Sequence, residues 1–103
     1  MKKLLTAGLL IAALYACAEN QKATSDPGYV NEGAQLYKKY CVICHGADGK
    51  LGVNGAKDIT ASPMTLEERV ALINTGKNTM TPFEGILTPD QMRAVANYTM
   101  QLK

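Results

Sequence analysis

Residues 41–49, CVICHGADG, contain two cysteines three positions apart and, directly after the second, the chain's only histidine. Residues of these types can form a structural disulfide, a zinc site, a redox-active dithiol or a covalent haem site. Zinc prefers four nitrogen or sulfur ligands, whereas Cys41, Cys44 and His45 supply three. A dithiol of the thioredoxin type is expected in a βαβ setting, and a disulfide would leave His45 without a role.

A haem site would use all three residues. The two cysteines can form thioethers with the haem vinyl groups, and a histidine on the same helical turn can bind the iron. The motif is only five residues long and can arise by chance. The rest of the sequence must therefore distinguish the four interpretations.

The N-terminus is typical of an exported protein. Lys2 and Lys3 precede an apolar run at residues 4–16, which is shorter than the roughly 20 residues that span a membrane. We therefore predict a signal peptide at residues 1–16. The run ends in AALYACAEN, which resembles the lipobox of bacterial lipoproteins and implies a lipid on Cys17, although cleavage after Ala18 is an alternative. Export favours haem, because bacteria attach haem to such motifs outside the cytoplasm.

Cleavage before Cys17 would leave 87 residues with nine basic and nine acidic side chains. This balance removes the dense positive charge on which nucleic-acid binding depends. Residues 17–28 are polar and end in Pro-Gly, which predicts a flexible tether between a membrane and a domain at residues 29–103. A domain this small often includes a bulky cofactor in its core.

The remaining sequence predicts three main helices. The first covers about residues 30–41, with Asn31 as a candidate cap, and a glycine-rich loop follows it. Thr65 and Glu68 form a capping-box pattern before a second helix that Gly76 would end. A last helix is predicted by a similar capping pattern, formed by Thr88, Pro89 and Gln91. The buried face of this helix would consist of five residues: Met92, Val95, Ala96, Thr99 and Leu102. No segment alternates like a strand, so the predicted fold class is all-α.

With CVICH placed after the first helix, residues 30–103 resemble the class I c-type cytochromes, a family of small monohaem electron carriers that includes the cytochrome c6 group. The family has a glycine and an aromatic residue in its first helix, matched here by Gly33 and Tyr37. A late aromatic of the last helix packs near that glycine, and Tyr98 takes this place. The resemblance implies three helices around one covalent haem c, attached through Cys41 and Cys44 and ligated by His45.

The resemblance also implies a methionine as the sixth iron ligand. GKNTMTPFEG matches the family's methionine loop at Met80, with Thr81 inserted before Pro82. Met64 is the competing candidate, because Met92 and Met100 fall on a predicted helix, where methionine usually fills the core. Many relatives have a proline whose carbonyl accepts the proton of the ligating histidine. That proline is missing here, and we expect a carbonyl in the loop at residues 52–56 to replace it.

These features predict a monomeric electron carrier rather than an enzyme, cycling between ferric and ferrous iron with His45 and Met80 as axial ligands. The protein would lie on the periplasmic or cell-surface side of a membrane, held by its lipid. Redox partners are expected at the exposed haem edge, where four lysines could steer an acidic partner: Lys39, Lys50, Lys57 and Lys77. The alternatives are a five-coordinate haem that binds a gas or peroxide, and a haem subunit of an oxidase or dehydrogenase.

Overall fold

The computed structural model describes residues 26–103, so the predicted signal peptide, Cys17 and most of the predicted tether lie outside the described residues. Within this range four α-helices occur in chain order: α1 Pro27–Tyr40, α2 Val42–His45, α3 Leu66–Thr75 and α4 Pro89–Thr99. Single 3-10 turns occur at Val53–Gly55 and Ile59–Ala61, and residues 26–103 contain no β-strand. None of the described helices is long and apolar enough to cross a membrane. The all-α prediction with three main helices is confirmed.

Helix α1 begins earlier than predicted. The Asp26 carboxylate accepts a hydrogen bond of 2.9 Å from the Gly28 amide, and Pro27 occupies the first helical position. Proline fits there because its missing N–H has no partner within a helix. Asn31 lies inside the helix, so its prediction as the cap is wrong. Pro27 and Gly28 also belong to α1 rather than to the tether.

The predicted starts of α3 and α4 are confirmed. The Thr65 hydroxyl accepts from the Glu68 amide at 3.2 Å, and the Glu68 carboxylate accepts from the Thr65 amide at 2.8 Å. Thr88 and Gln91 form the same reciprocal pair at 3.2 and 2.9 Å. Each pair satisfies two amides that a helix start leaves without intrahelical partners. Gly76 ends α3 with a φ of 64°, as its position predicts.

Helices α1 and α4 cross at Gly33, as the family resemblance implied. A Cβ at Gly33 would lie 2.3 Å from the carbonyl oxygen of Ala94 and 3.1 Å from the Cβ of Tyr98. Only glycine permits such close backbone approach. One helical turn further, the rings of Tyr37 and Tyr98 pack with centroids 5.1 Å apart.

The core lies between α3, α4 and the connection that joins them. Its buried cluster consists of Ile73, Phe83, Leu87, Met92, Val95 and Ala96. The face predicted for α4 is confirmed for Met92, Val95, Ala96 and Thr99, which are all buried. Met100, the cap residue at the end of α4, is 45% exposed. Its prediction as a core residue is therefore wrong, and Leu102 lies beyond the helix.

Candidate haem site

The CVICH segment forms one helical turn directly after α1. The amide of Cys41 donates to the Tyr37 carbonyl at 2.9 Å, and the amide of His45 donates to the Cys41 carbonyl at the same distance. Residues three and four positions apart lie on one face of a helix. The turn therefore places Cys41, Cys44 and His45 on one side of α2.

The hydroxyl of Tyr37 fixes the end of this turn. It is buried and donates a hydrogen bond of 2.6 Å to the carbonyl of Gly46, the residue after His45. Burial, with smaller effects from neighbouring groups, raises the pKa of Tyr37 to about 12. The phenol therefore stays a donor at neutral pH. The sequence indicated Tyr37 as a packing aromatic, and its hydrogen bond to the haem-motif turn was not predicted.

One nitrogen of His45 is fixed by the backbone. Nδ1 lies 3.1 Å from the carbonyl oxygen of Lys57. A carbonyl oxygen can only accept, so Nδ1 carries a proton, and in the neutral imidazole Nε2 then presents its lone pair. This is the tautomer that a metal-binding histidine needs, and the Lys57 carbonyl is the acceptor that holds it. The prediction of an acceptor within residues 52–56 is wrong, since Lys57 lies one residue beyond that range.

We call residues 76–82, between α3 and the core residue Phe83, the methionine loop. A tight turn is closed by the Met80 amide, which donates to the Lys77 carbonyl at 2.9 Å, with Asn78 at a φ of 54°. The Thr79 hydroxyl donates to the Asn54 carbonyl at 2.9 Å and so joins the loop to the 3-10 turn at Val53–Gly55. These contacts hold Met80 at a defined place.

Gly76 permits the close packing of this loop. A Cβ there would lie 2.4 Å from the carbonyl oxygen of Met80 and 2.8 Å from the nitrogen of Pro82. Its left-handed φ is also one that side chains disfavour. The residue that ends α3 thus allows the loop to fold back against the helix end.

Two adjoining cavities lie between the haem motif, α3 and the methionine loop. The inner cavity, about 520 Å³, reaches the core at Tyr37, Ile73 and Val95, and the outer cavity, about 660 Å³, opens beside Ile43 and Val53. Six residues line both: Cys41, His45, Lys57, Met64, Leu72 and Met80. They therefore form one cleft of two parts, of the size of small-molecule and cofactor sites.

The cleft contains both candidate methionines. Met64 and Met80 line its two parts, whereas Met92 and Met100 line neither. Met80 also packs against the buried core. The structure thus brings the predicted ligand and its competitor to the same cleft.

The chemistry of the donor set fits haem c. Cys41 and Cys44 are both free thiols, and burial, with a smaller effect from Cys44, raises the pKa of Cys41 to about 11. Redox-active dithiols have the opposite shift, a thiol pKa lowered towards neutrality. Two thiols that can form thioethers, an imidazole with a free Nε2 and a large apolar cleft match the needs of this group. The sequence did not indicate Arg69, Ile59 or Leu72 as lining residues, since nothing in their local pattern separates them from ordinary helix or loop residues.

Three comparisons with known proteins agree with this geometry. A family model described as "Cytochrome C oxidase, cbb3-type, subunit III" matches residues 28–98. Cytochrome c6 of Nostoc sp. is 33% identical over an alignment that covers 97% of this chain and 93% of that protein. Cytochrome c6 of Gloeothece citriformis is 31% identical, covering 98% and 94%.

A solved structure, "KustC0563 c-type cytochrome", resembles the fold with a TM-score of 0.61. It is 30% identical and covers 69% of this chain and 96% of that one. Fold, family and relatives thus agree on a covalently bound haem c as the cofactor. The chain belongs to the class I c-type cytochromes, small electron-transfer proteins with a covalently bound haem c.

Proposed function

We propose that this protein is a one-electron carrier without an enzymatic activity of its own, in which His45 and Met80 are the axial ligands of iron and Cys41 and Cys44 form the thioethers. Haem c supplies reversible one-electron iron chemistry when bound. The observation that carries the proposal is the fixed tautomer of His45, whose Nδ1 is held by the Lys57 carbonyl. Its Nε2 is thereby left as a ligand in a cleft that Met80 also lines.

A second axial ligand matters because it would occupy the coordination position at which a substrate could bind the iron. If the imidazole of His45 and the thioether of Met80 both held the iron, no position would be left for oxygen or peroxide. Sulfur also favours the ferrous state and raises the reduction potential relative to a second imidazole. The methionine loop supports this role, since the Thr79 hydrogen bond and the packing at Gly76 hold Met80 in place.

The test compares two methionine variants, Met80→Ala and Met64→Leu. We expect Met80→Ala to lose the sulfur-to-iron charge-transfer band of the oxidised protein at the red end of the visible spectrum, and to lower the midpoint potential. Met64→Leu, the matched control, should keep both. The opposite pattern would assign the ligand to Met64, and a wild-type protein without the band would favour the five-coordinate alternative.

We further propose that redox partners dock beside the outer cavity. Ile43 is 79% exposed on the haem-motif turn, and Val53 lies nearby on the same cavity. Lys57 and Lys77 are exposed and line it as well, so they could steer an acidic partner. Lys39 and Lys50, the other two predicted steering residues, are also exposed. Of the four lysines, we therefore expect changes at Lys57 and Lys77 to slow association with an acidic partner most.

The export and lipid anchor predicted from residues 1–17 form part of this proposal. A pyridine haemochrome spectrum together with the intact mass tests the two thioethers and the lipid in one sample. We expect Cys17→Ser to move the protein from the membrane fraction to the soluble periplasm. If the wild-type protein is soluble and its N-terminus follows Ala18, ordinary signal cleavage is the correct interpretation and the lipid anchor is not.

One observation favours a second candidate, a haem subunit of an oxidase. The family model that matches residues 28–98 is described as an oxidase subunit. Purification from native membranes in mild detergent separates the two candidates. A carrier is recovered as a monomer, whereas a subunit remains with a larger complex.

A further inference from the structure

Asn54 and Gly55 form the centre of a tight turn that lines the outer cavity. They are the only Asn-Gly pair of the chain, and both residues are exposed. The Ala56 amide donates to the Val53 carbonyl at 3.0 Å and closes the turn. Asn54 has φ and ψ of 53° and 31°, and Gly55 has a φ of 77°. Positive φ at both central residues identifies a β-turn of type I′.

An Asn-Gly pair can undergo deamidation. The Gly55 nitrogen gives its proton to hydroxide and attacks Cγ of Asn54, which closes a five-membered succinimide ring. The bond from Cγ to Nδ2 breaks, and the nitrogen leaves as ammonia after taking a proton from water. Water then opens the ring at either carbonyl and leaves aspartate or isoaspartate. Glycine favours the attack because no side chain crowds its nitrogen, and a Cβ at Gly55 would meet nothing within 4 Å.

The type I′ turn keeps the reacting atoms apart, and a rotation of one peptide group brings them together. With ψ at 31°, the Gly55 nitrogen points away from Cβ of Asn54. Rotation of the peptide between the two residues converts type I′ into type II′, in which this ψ is about −120°. The tetrahedral geometry at Cα then places the nitrogen on the same side as Cβ, as ring closure requires. Asn54 keeps its positive φ, and the change in φ falls on Gly55, which adopts either sign readily.

The Thr79 hydroxyl of the methionine loop opposes this rotation. It donates to the Asn54 carbonyl at 2.9 Å. That carbonyl belongs to the same peptide group as the Gly55 nitrogen, so the two turn together. The rotation must therefore break the hydrogen bond. Loss of a hydrogen bond of ordinary strength would raise the population of the rotated turn about fivefold.

We propose that Asn54 is a site of spontaneous deamidation and that the Thr79 hydroxyl restrains the reaction. The product has a carboxylate on the outer cavity, which Lys57 and Lys77 also line. Deamidation thus adds a negative charge among lysines that are proposed to steer an acidic partner, and it slows their association. This consequence rests on the proposed docking surface, whereas the modification itself does not.

The test incubates the oxidised holoprotein in mildly alkaline buffer and follows each asparagine by peptide mapping with mass spectrometry. Asn78 is the internal control, since it is exposed and has a φ of 54°. It is followed by a β-branched threonine, which crowds the attacking nitrogen. We expect Asn54 to become aspartate and isoaspartate while Asn78 remains an amide. Conversion of Asn54 no faster than that of Asn78 would overturn the proposal, and this comparison needs no variant.

Variants of the methionine loop test the restraint. We expect Thr79→Val to speed the conversion of Asn54 about fivefold. Thr79→Ser, which keeps the hydroxyl, and Thr81→Val, at an exposed position of the same loop, should keep the wild-type rate. Equal rates in Thr79→Val and Thr81→Val would refute the role of Thr79. Thr79→Ala replaces Thr79→Val if the latter does not fold.

The consequence for partners is tested with ferricyanide, an anionic oxidant of the ferrous holoprotein. Asn54→Asp introduces the charge directly, and Asn31→Asp places it on an exposed position of α1 that lines neither cavity. At an ionic strength of about 0.1 M, a charge about 10 Å from the reagent should slow oxidation about twofold in Asn54→Asp alone. An unchanged rate would refute the effect on docking, and the peptide map would still decide the modification.

Discussion

Substitution of Gly33 by alanine tests the packing that holds α1 against α4. The new Cβ would lie 2.3 Å from the carbonyl oxygen of Ala94, about 1 Å closer than an ordinary contact, and 3.1 Å from the Cβ of Tyr98. A backbone carbonyl cannot rotate away like a side chain, so the two helices must separate. Their contact supports the Tyr37 and Tyr98 ring pair, which would separate with them.

The expected magnitude follows from two opposing effects. Overpacking a well-filled core costs about 1–3 kcal/mol, and a clash with backbone belongs at the upper end of that range. Replacing glycine by alanine in a helix interior raises the free energy of unfolding by about 1 kcal/mol, because alanine has the higher helix propensity. We therefore expect Gly33→Ala to lower the free energy of unfolding by about 2 kcal/mol, which for a domain of this size lowers the Tm by about 8–16 °C.

Gly28→Ala is the matched control. Gly28 lies in the same helix, is exposed, and a Cβ there would have its nearest contact at 3.4 Å, with the Asp26 carboxylate. Urea unfolding of the oxidised holoproteins, followed by far-UV circular dichroism and Soret absorbance, gives both free energies. If Gly33→Ala unfolds within about 0.5 kcal/mol of Gly28→Ala, the ordinary range for harmless surface changes, the packing argument is refuted.

Two further predictions concern the hydrogen bonds around the site. Tyr37→Phe leaves the Gly46 carbonyl without its donor and should lower the free energy of unfolding by about 1–3 kcal/mol. The pKa of Tyr37 is about 12 in the folded protein against 10.0 for an ordinary tyrosine, so wild-type stability should fall as pH rises through this interval, because the unfolded chain ionises first. Urea titrations across that interval should give a flatter profile for Tyr37→Phe, and parallel profiles would contradict the linkage. Thr79→Val removes the hydrogen bond to the Asn54 carbonyl and should let imidazole bind the oxidised iron about fivefold more tightly, corresponding to about 1 kcal/mol of loop stability. Thr81→Val, an exposed position of the same loop, is the control, and equal imidazole affinity in the two variants would count against the role of Thr79.

Helix starts were predictable where the determinants lie within one turn of each other. Thr65 with Glu68, and Thr88 with Gln91, each form a complete capping box without help from distant residues. The start of α1 was missed because Asp26-Pro27-Gly28 is equally typical of a tether and of a capped helix. The packing of α1 against α4 resolves that ambiguity. This packing joins residues far apart in the chain, so the local sequence does not indicate it.

The end of α4 shows the converse limit. The sequence after Tyr98 has no glycine or proline that would end a helix, so the periodic pattern predicts that the buried face continues. The chain leaves the helix after Thr99, whose hydroxyl donates to the Ala96 carbonyl and also accepts from Arg69. Met100, the cap residue, is 45% exposed. At the last residue of α4, the Thr99 hydroxyl accepts a hydrogen bond from Arg69 of α3, 30 residues away in the chain. No local sequence pattern could indicate that contact.

The acceptor of the His45 proton was hard to predict for a different reason. Every residue has a carbonyl, so without the expected proline only the path of the loop selects one. That path runs through Gly52, Asn54 and Gly55, with left-handed φ values of 73°, 53° and 77°. Glycine and asparagine adopt this conformation more readily than other residues. We infer that these three positions bring the Lys57 carbonyl to His45. The side chain at position 57 lines both parts of the cleft, where a lysine can serve the proposed partner docking without affecting the proposed iron ligand, His45.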